Sequence, residues 1–186
     1  MNPWHDVTIS TEILNHFNCL IEIPMGSKIK YELHKESGLL KLDRILYSSV
    51  HYPCNYGFFP QTYAMDDDPL DVLVIGQLPV TPLSIMRVRP IGVIRMIDQG
   101  QQDDKILSVH IDDPEFNYIK KLNQLPTHRL REIKNFFEHY KELEKKDVFI
   151  SSIGDEKEAL DVIQDAIDLY PKFLSKKNTE QRNLHA

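Results

Sequence analysis

Cysteine is nearly absent from this 186-residue chain. Cys19 and Cys54 are too few for a disulfide framework or a zinc-finger spacing, so a reduced, cytoplasmic setting is expected. Long apolar runs are missing as well: nothing approaches the ~18 consecutive apolar residues of a membrane span. The opening MNPWHDV has no basic stretch followed by an apolar one, so neither a membrane anchor nor a secretory leader is expected. Positive charge is in deficit, with 22 lysines and arginines against 28 aspartates and glutamates and a net charge of −6. That deficit argues against a protein that grips nucleic acid through its phosphates. Repeats and low-complexity tracts are lacking, which excludes solenoids and propellers. What remains is a globular composition, 41% hydrophobic and 27% charged, at a length that suits one domain over residues 1–186.

The first two-thirds is patterned as strand. Residues 19–24 (CLIEIP) form a short apolar run broken by one acid. Residues 29–33 (IKYEL) alternate, with Ile29, Tyr31 and Leu33 on one face and Lys30 and Glu32 on the other. Residues 70–75 (LDVLVI) read as a strand covered on both faces. Residues 84–97 (SIMRVRPIGVIRMI) read as a long strand in which Pro90 and Gly92 predict a bend or bulge, and residues 105–110 (KILSVH) should pair with it. After about residue 113 the period becomes helical, with Leu130, Ile133, Phe137 and Tyr140 on one face and Thr127 placed to cap it. A second helix should start near Asp155, with Glu158 in capping-box position. Its stripe is Leu160, Ile163, Ile167, Tyr170 and Leu174, and Pro171 is expected to kink or end it. Residues 175–186 read as a frayed polar tail. Strands followed by helices indicate an α+β fold built on a small barrel or curled sheet.

The densest chemical signal is Asp66-Asp67-Asp68-Pro69-Leu70-Asp71. Four carboxylates within six residues repel one another, and Pro69 stiffens the backbone that would otherwise let them splay. A cation of high charge density makes such crowding tolerable, and an all-oxygen set without cysteine or histidine favours Mg²⁺, Mn²⁺ or Ca²⁺. The plain alternative is a solvated acidic turn, but Asp71 interrupts an apolar strand, where an unpaired carboxylate is costly. An EF-hand loop fails on register: counted from Asp66, the required glycine is Asp71 and the required glutamate is Gln77. A second acidic group, Asp98, Asp103 and Asp104 beside Lys105, lies in a loop that Gly100 allows to turn. Lys30, Glu32, Arg44, Tyr52 and Tyr56 add charge and aromatic surface, each also readable as an ordinary strand residue. Tyr140 falls on a helix's apolar stripe. His51, His110 and His139 do not cluster at ligand spacing and read as structural or surface residues.

Taken in order, these blocks resemble the soluble family I inorganic pyrophosphatases. The matching stretches are IEIP (21–24), KYE (30–32), Asp43-Arg44, YPCNYG (52–57), DDDPLDVLV (66–74), RPIGV (89–93), the D-x-G-x-x-D-x-K loop (98–105) and FFEHYK (136–141). The amino-terminal PWHDV looks like one subgroup, and the resemblance spans roughly residues 4–170. It implies an oligonucleotide-binding-like, closed five-stranded β-barrel with flanking C-terminal helices. It also implies hydrolysis of pyrophosphate to two orthophosphates with several Mg²⁺ ions, Mn²⁺ being a substitute. Carried over by position, Asp66, Asp71, Asp98 and Asp103 are the implied metal ligands, with Asp71 bridging two ions. Glu32 would hold a further ion and Glu22 would support the site. Asp68 matches the general base, and Lys30, Arg44, Tyr56, Lys105, Tyr140 and Lys141 match positions that grip the phosphoryl groups. Tyr52 matches an active-site tyrosine. A homo-oligomer is implied too, a hexamer being favoured for so short a chain.

The sequence departs from the family pattern at Asp67, where glycine is frequent, and at Gln99, Gln101 and Gln102, where many members are more acidic. Rival readings are a non-catalytic barrel that captures phosphate or a divalent cation, and a nucleotide hydrolase. A single-stranded nucleic-acid binder stacking bases on Tyr47, Tyr52, Tyr56 and Phe58 is a third, which the acidic balance disfavours.

Overall fold

Nine strands form among the residues described by the computed structural model, namely 2–10 and 13–184 without the side chains of 178 and 180–184. A helical turn, α1 (Pro3–Asp6), precedes β1 (Phe17–Ile23), β2 (Ile29–Leu33), β3 (Leu40–Ile45), β4 (Asn55–Phe58) and β5 (Asp71–Ile75). Then come β6 (Ile85–Asp98), β7 (Gln101–Gln102), β8 (Lys105–His110), helix α2 (Thr127–His139), β9 (Val148–Gly154) and helix α3 (Glu156–Leu184).

Pairing runs β1-β4-β5-β8-β6, and the first part of β6 returns to β1, with Cys19 opposite Met86. Hydrogen bonding therefore comes back to its starting strand, and the five strands form a ring. Within it β5 and β8 are parallel neighbours, while the other four pairings are antiparallel. The 14-residue β6 pairs with β8 along one edge, and its register there slips between Pro90 and Gly92, where the sequence predicted a bulge. Its second half carries β9, and β2 and β3 form a separate hairpin. At Gly57 the strands β1 and β4 come very close, since a Cβ there would lie 1.8 Å from the Leu20 carbonyl oxygen.

The period of two sorts side chains into two cores. Leu73, Ile75, Leu107 and Val109 pack with Ile133, Phe136 and Phe137 of α2. Val72, Val74, Val88 and Ile106 pack with Ala159, Ile163 and Ala166 of α3. A third cluster joins Trp4, Leu20, Phe58 and Tyr170. No helix among the described residues is long and apolar enough to cross a membrane.

Several local expectations need correction. Thr127 is the first residue of α2 rather than its cap, and Pro126 holds the cap position without a side-chain bond. Helix α3 opens as expected, with Asp155 Oδ1 accepting from the Lys157 and Glu158 amides (3.0 and 3.1 Å) and Glu158 accepting from the Asp155 amide (2.9 Å). It does not end at Pro171 but runs to Leu184, so residues 175–184 are helical; residues 185 and 186 lie outside the described set. A proline inside a helix costs about 3 kcal/mol. Here Tyr170 and Phe173, on either side of it, pack against Trp4 and hold the backbone on course. Leu160 is half-buried, and the small residues Ala159 and Ala166 take the buried positions that let the helix approach the sheet.

Candidate active site

Where β5 and β8 begin, the apolar alternation gives way to charge. Their parallel register sets Asp71 beside Lys105, on the face that Leu73 and Leu107 continue inward. Asp66, on the loop before β5, and Asp103, two residues ahead of Lys105, complete the group. One carboxylate oxygen from each of Asp66, Asp71 and Asp103 lies within 4.8 Å of the others. The Lys105 ammonium pairs with both Asp71 and Asp103, and Tyr56 of β4 donates its hydroxyl to Asp71 Oδ2 at 2.6 Å.

Three acids around one lysine are under-compensated. Burial, with the charges of Asp71 and Asp103, pushes the Asp66 carboxyl up to about 7. Burial raises Asp71 as well, against the pull of Lys105. At Asp103 burial is outweighed by Lys105 and by a hydrogen bond from Asp66, which hold it below the usual carboxylate range. Burial also works against charge on Lys105, but Asp71 and Asp103 overcome it and hold its proton tightly.

Register slips place two further acids. Between Ile21 and Ile23 the β1–β4 pairing skips a residue, so Glu22 is the extra one and the bulge turns it into the cleft. It is 7% exposed, accepts from the Leu33 amide at 2.6 Å, and is pushed by burial and then by Asp71 up to about 8. In the β2–β3 hairpin a slip at Lys30/Tyr31 leaves Asp43 as the extra residue. Asp43 accepts from Arg44 Nη1 (2.6 Å) and lies 3.4 Å from Lys30, whose ammonium also pairs with Glu32. Arg44 Nε donates to Glu144 at 3.0 Å.

On the far wall Tyr140 caps the end of α2. The next residue, Lys141, pairs with Asp98 at the end of β6, and its ammonium lies 5.2 Å from the Tyr140 ring centre. Tyr52 packs against Tyr56 (5.4 Å between rings) and Phe136 (4.8 Å). Burial raises the phenols of Tyr56 and Tyr140, which keeps both as hydrogen-bond donors. Asp68 meets Lys35 at 2.5 Å.

These side chains enclose a cleft of about 340 Å³. Of the residues singled out in the sequence, Glu22, Lys30, Glu32, Tyr52, Tyr56, Asp66, Asp68, Asp71, Asp98, Asp103, Lys105, Tyr140 and Lys141 all line it. Arg44 is off its wall and connects to it through Asp43 and Lys30. Among the described residues only Asp66, Asp71 and Asp103 converge closely enough to share one ion. Asp98 and Glu32 line the same cleft in the grip of Lys141 and Lys30. Sequence reasoning missed Lys35, Trp4 and Glu144. No local pattern marks a lysine just past a strand, and the Arg44–Glu144 pairing spans 100 residues.

The departures have physical readings as well. Asp67 has φ +65°, the left-handed conformation in which glycine is free of strain, and its exposed carboxylate accepts from Tyr63. Gln99 (φ +50°) and Gly100 (φ +88°) make the tight turn between β6 and β7, and Gln102 donates to Asp104 at 2.9 Å.

Residues 19–171 match the family model described as inorganic pyrophosphatase. The chain is 52% identical over 169 residues to soluble inorganic pyrophosphatase 2 of Chlamydomonas reinhardtii, covering 91% of this chain and 88% of that one. It is 52% identical over 173 residues to soluble inorganic pyrophosphatase PPA1 of Solanum tuberosum, covering 93% and 82%. Among solved structures it is similar to the inorganic pyrophosphatase from Thermus thermophilus, with a TM-score of 0.87 and 34% identity over 92% of this chain and 99% of that one.

Proposed function

The chain belongs to the inorganic pyrophosphatase family, and from that membership we propose that its cleft hydrolyses pyrophosphate to two orthophosphates with Mg²⁺ held by Asp66, Asp71 and Asp103. The convergence of those three carboxylates beside a set of lysines and tyrosines carries the reading. The donor set fits a hard divalent cation: it offers oxygen alone, and three carboxylates converge where Lys105 is, among the described residues, the one ammonium paired with them. Mg²⁺ suits such a set, with Mn²⁺ as a substitute. Asp98 and Glu32 line the same cleft and would offer further oxygens, and the bridging role of Asp71 rests on the family resemblance. Bound there, the metal supplies charge neutralisation and Lewis-acid activation of water.

The chain's own residues do the rest. Asp68, on the loop before β5, accepts the proton of the attacking water. Lys30, Lys105 and Lys141 offset charge on the phosphoryl oxygens, and Arg44, set behind the wall, adds its charge through Asp43 and Lys30. Tyr56 and Tyr140 donate hydrogen bonds that strengthen as the leaving oxygen gains charge. Glu22 locks the β1 bulge to β2 through the Leu33 amide, and Tyr52 packs Tyr56 in place. Assembly into a homo-oligomer, with a hexamer favoured, rests on the resemblance, and sedimentation velocity tests it. A cytoplasmic setting is supported by Cys19 and Cys54, which are buried and unpaired.

Phosphate release from pyrophosphate, measured with Mg²⁺ and again with EDTA, tests the whole reading. Release with Mg²⁺ and none with EDTA is the expected result. Pyrophosphate binding without release would favour a non-catalytic barrel that only captures phosphate or a divalent cation.

A further inference from the structure

We propose that Lys35 is a positioning residue that holds Asp68 in line for proton transfer, and that the N-terminal turn is built to brace it; this rests on the reading of Asp68 as the base. The loop carrying Asp68 does little to orient that carboxylate. Its backbone is anchored where the Asp68 carbonyl accepts from the Ala64 amide at 2.8 Å. The side chain, however, stands half exposed next to a left-handed Asp67. Orientation comes from across the cleft. The Lys35 ammonium meets the Asp68 carboxylate at 2.5 Å and donates to the Asp67 carbonyl at 2.9 Å. One contact holds the acid and the other holds the peptide next to it, so the carboxylate is fixed relative to its own backbone.

Lys35 is itself braced. Its ammonium lies 5.9 Å from the centre of the Trp4 ring, and the Asn2 side chain donates to its carbonyl at 2.7 Å. Trp4 is 1% exposed, and its indole N–H donates to the Thr62 carbonyl at 2.8 Å. Thr62 in turn accepts the Leu70 amide on its hydroxyl at 2.9 Å, at the far end of the loop that carries Asp68. One indole therefore fixes both the lysine and the loop it steadies. The other lysines of the cleft, Lys30, Lys105 and Lys141, each pair with a residue assigned to metal. Lys35 alone of these four lysines is set on the base, which separates orienting from gripping.

The test is a double-mutant cycle of Lys35→Met and Asp68→Asn, with Lys35→Arg as the conservative variant, reading kcat and KM for pyrophosphate at saturating Mg²⁺. Lys35→Met should lower kcat about tenfold, within the ~100-fold that a 1 Å misplacement can cost, with KM changed less than about twofold. Lys35→Arg should recover most of the rate. In the Asp68→Asn background, Lys35→Met should cost nothing further. A raised KM at unchanged kcat would make Lys35 a substrate contact and overturn the proposal, as would an equal fold loss in both backgrounds. A slow Asp68→Asn beside an unaffected Lys35→Met removes this proposal alone. Near wild-type turnover in Asp68→Asn removes the base assignment beneath it.

Discussion

Asp71→Asn exchanges one carboxylate oxygen for an amide nitrogen at the most crowded corner of the cleft. The amide oxygen can still accept from Tyr56, but one of three converging carboxylates is gone, and Lys105 keeps only Asp103 as an ionic partner. Without divalent metal the two effects oppose each other: an ion pair is lost while repulsion with Asp66 and Asp103 is relieved. The stability of the metal-free protein should therefore move by no more than ~1 kcal/mol. With metal the two proteins should part company. At Mg²⁺ one hundred times its Kd, linkage stabilises the wild type by about 3 kcal/mol; a variant binding roughly 100-fold more weakly gains about 0.4 kcal/mol. A domain of this size gains roughly 2–4 °C in Tm per kcal/mol. Mg²⁺ should then raise the wild-type Tm by about 5–10 °C and that of the variant by about 1 °C. Scanning calorimetry with and without Mg²⁺, paired with phosphate release over a Mg²⁺ series, measures both halves. Turnover should fall about 100-fold or more, at least the loss seen when groups supporting a metal site are removed. An unchanged Mg²⁺-induced shift, or near wild-type turnover at the same Mg²⁺, would refute the assignment of Asp71 as a ligand.

Three further outcomes are expected. Asp68→Asn should lose about 100-fold in kcat, the lower end of the range for a proton-transfer group, with KM for pyrophosphate within a few-fold; weaker binding at unchanged kcat would remove Asp68 as the base. Gly57→Ala should prevent folding to a stable monomer, because its Cβ would sit 1.8 Å from the Leu20 carbonyl oxygen and 2.8 Å from the Ile21 Cα, both backbone atoms; a soluble variant melting near wild type would contradict the close strand approach. Glu22 sets a pH slope in the metal-free protein. Its folded pKa of about 8 lies above its ordinary 4.5, so the folded state holds the extra proton, and stability falls as pH rises through the folded value. Between pH 7 and 9 that loss comes to about 1 kcal/mol. Denaturant unfolding in EDTA should show Glu22→Gln losing less stability than wild type over that interval, and parallel slopes would discard the buried, protonated Glu22.

Much of the barrel was legible because its signals are local. The strand at 29–33 alternates in sequence and forms where its pattern says, 105–110 pairs with the long strand as expected, and the Pro90–Gly92 break marks a bulge because a proline cannot donate to the ladder. The strands β3, β4 and β9 escaped the same reading. All four residues of β4 are buried, so it has no polar face to mark its period. In β3 the extra Asp43 interrupts alternation, and β9 carries serines where a strand of this sheet would be apolar. The persistence of α3 past Pro171 depends on aromatic packing against Trp4, some 165 residues away in sequence, which no window of local propensity contains.

The site divides along the same line. By itself the sequence determined that Asp66 to Asp71 carry more negative charge than a short stiff segment can hold unaided, since charge repulsion and the rigidity of Pro69 act between neighbours. Only the tertiary structure decided what answers that charge: the parallel register of β5 and β8 brings Lys105 to Asp71 across 34 residues, and the ring of strands brings Tyr56 and Asp103 to the same point. Coulomb and hydrogen-bond energies depend on distance in space, and the chain sets that distance only when its strands have paired.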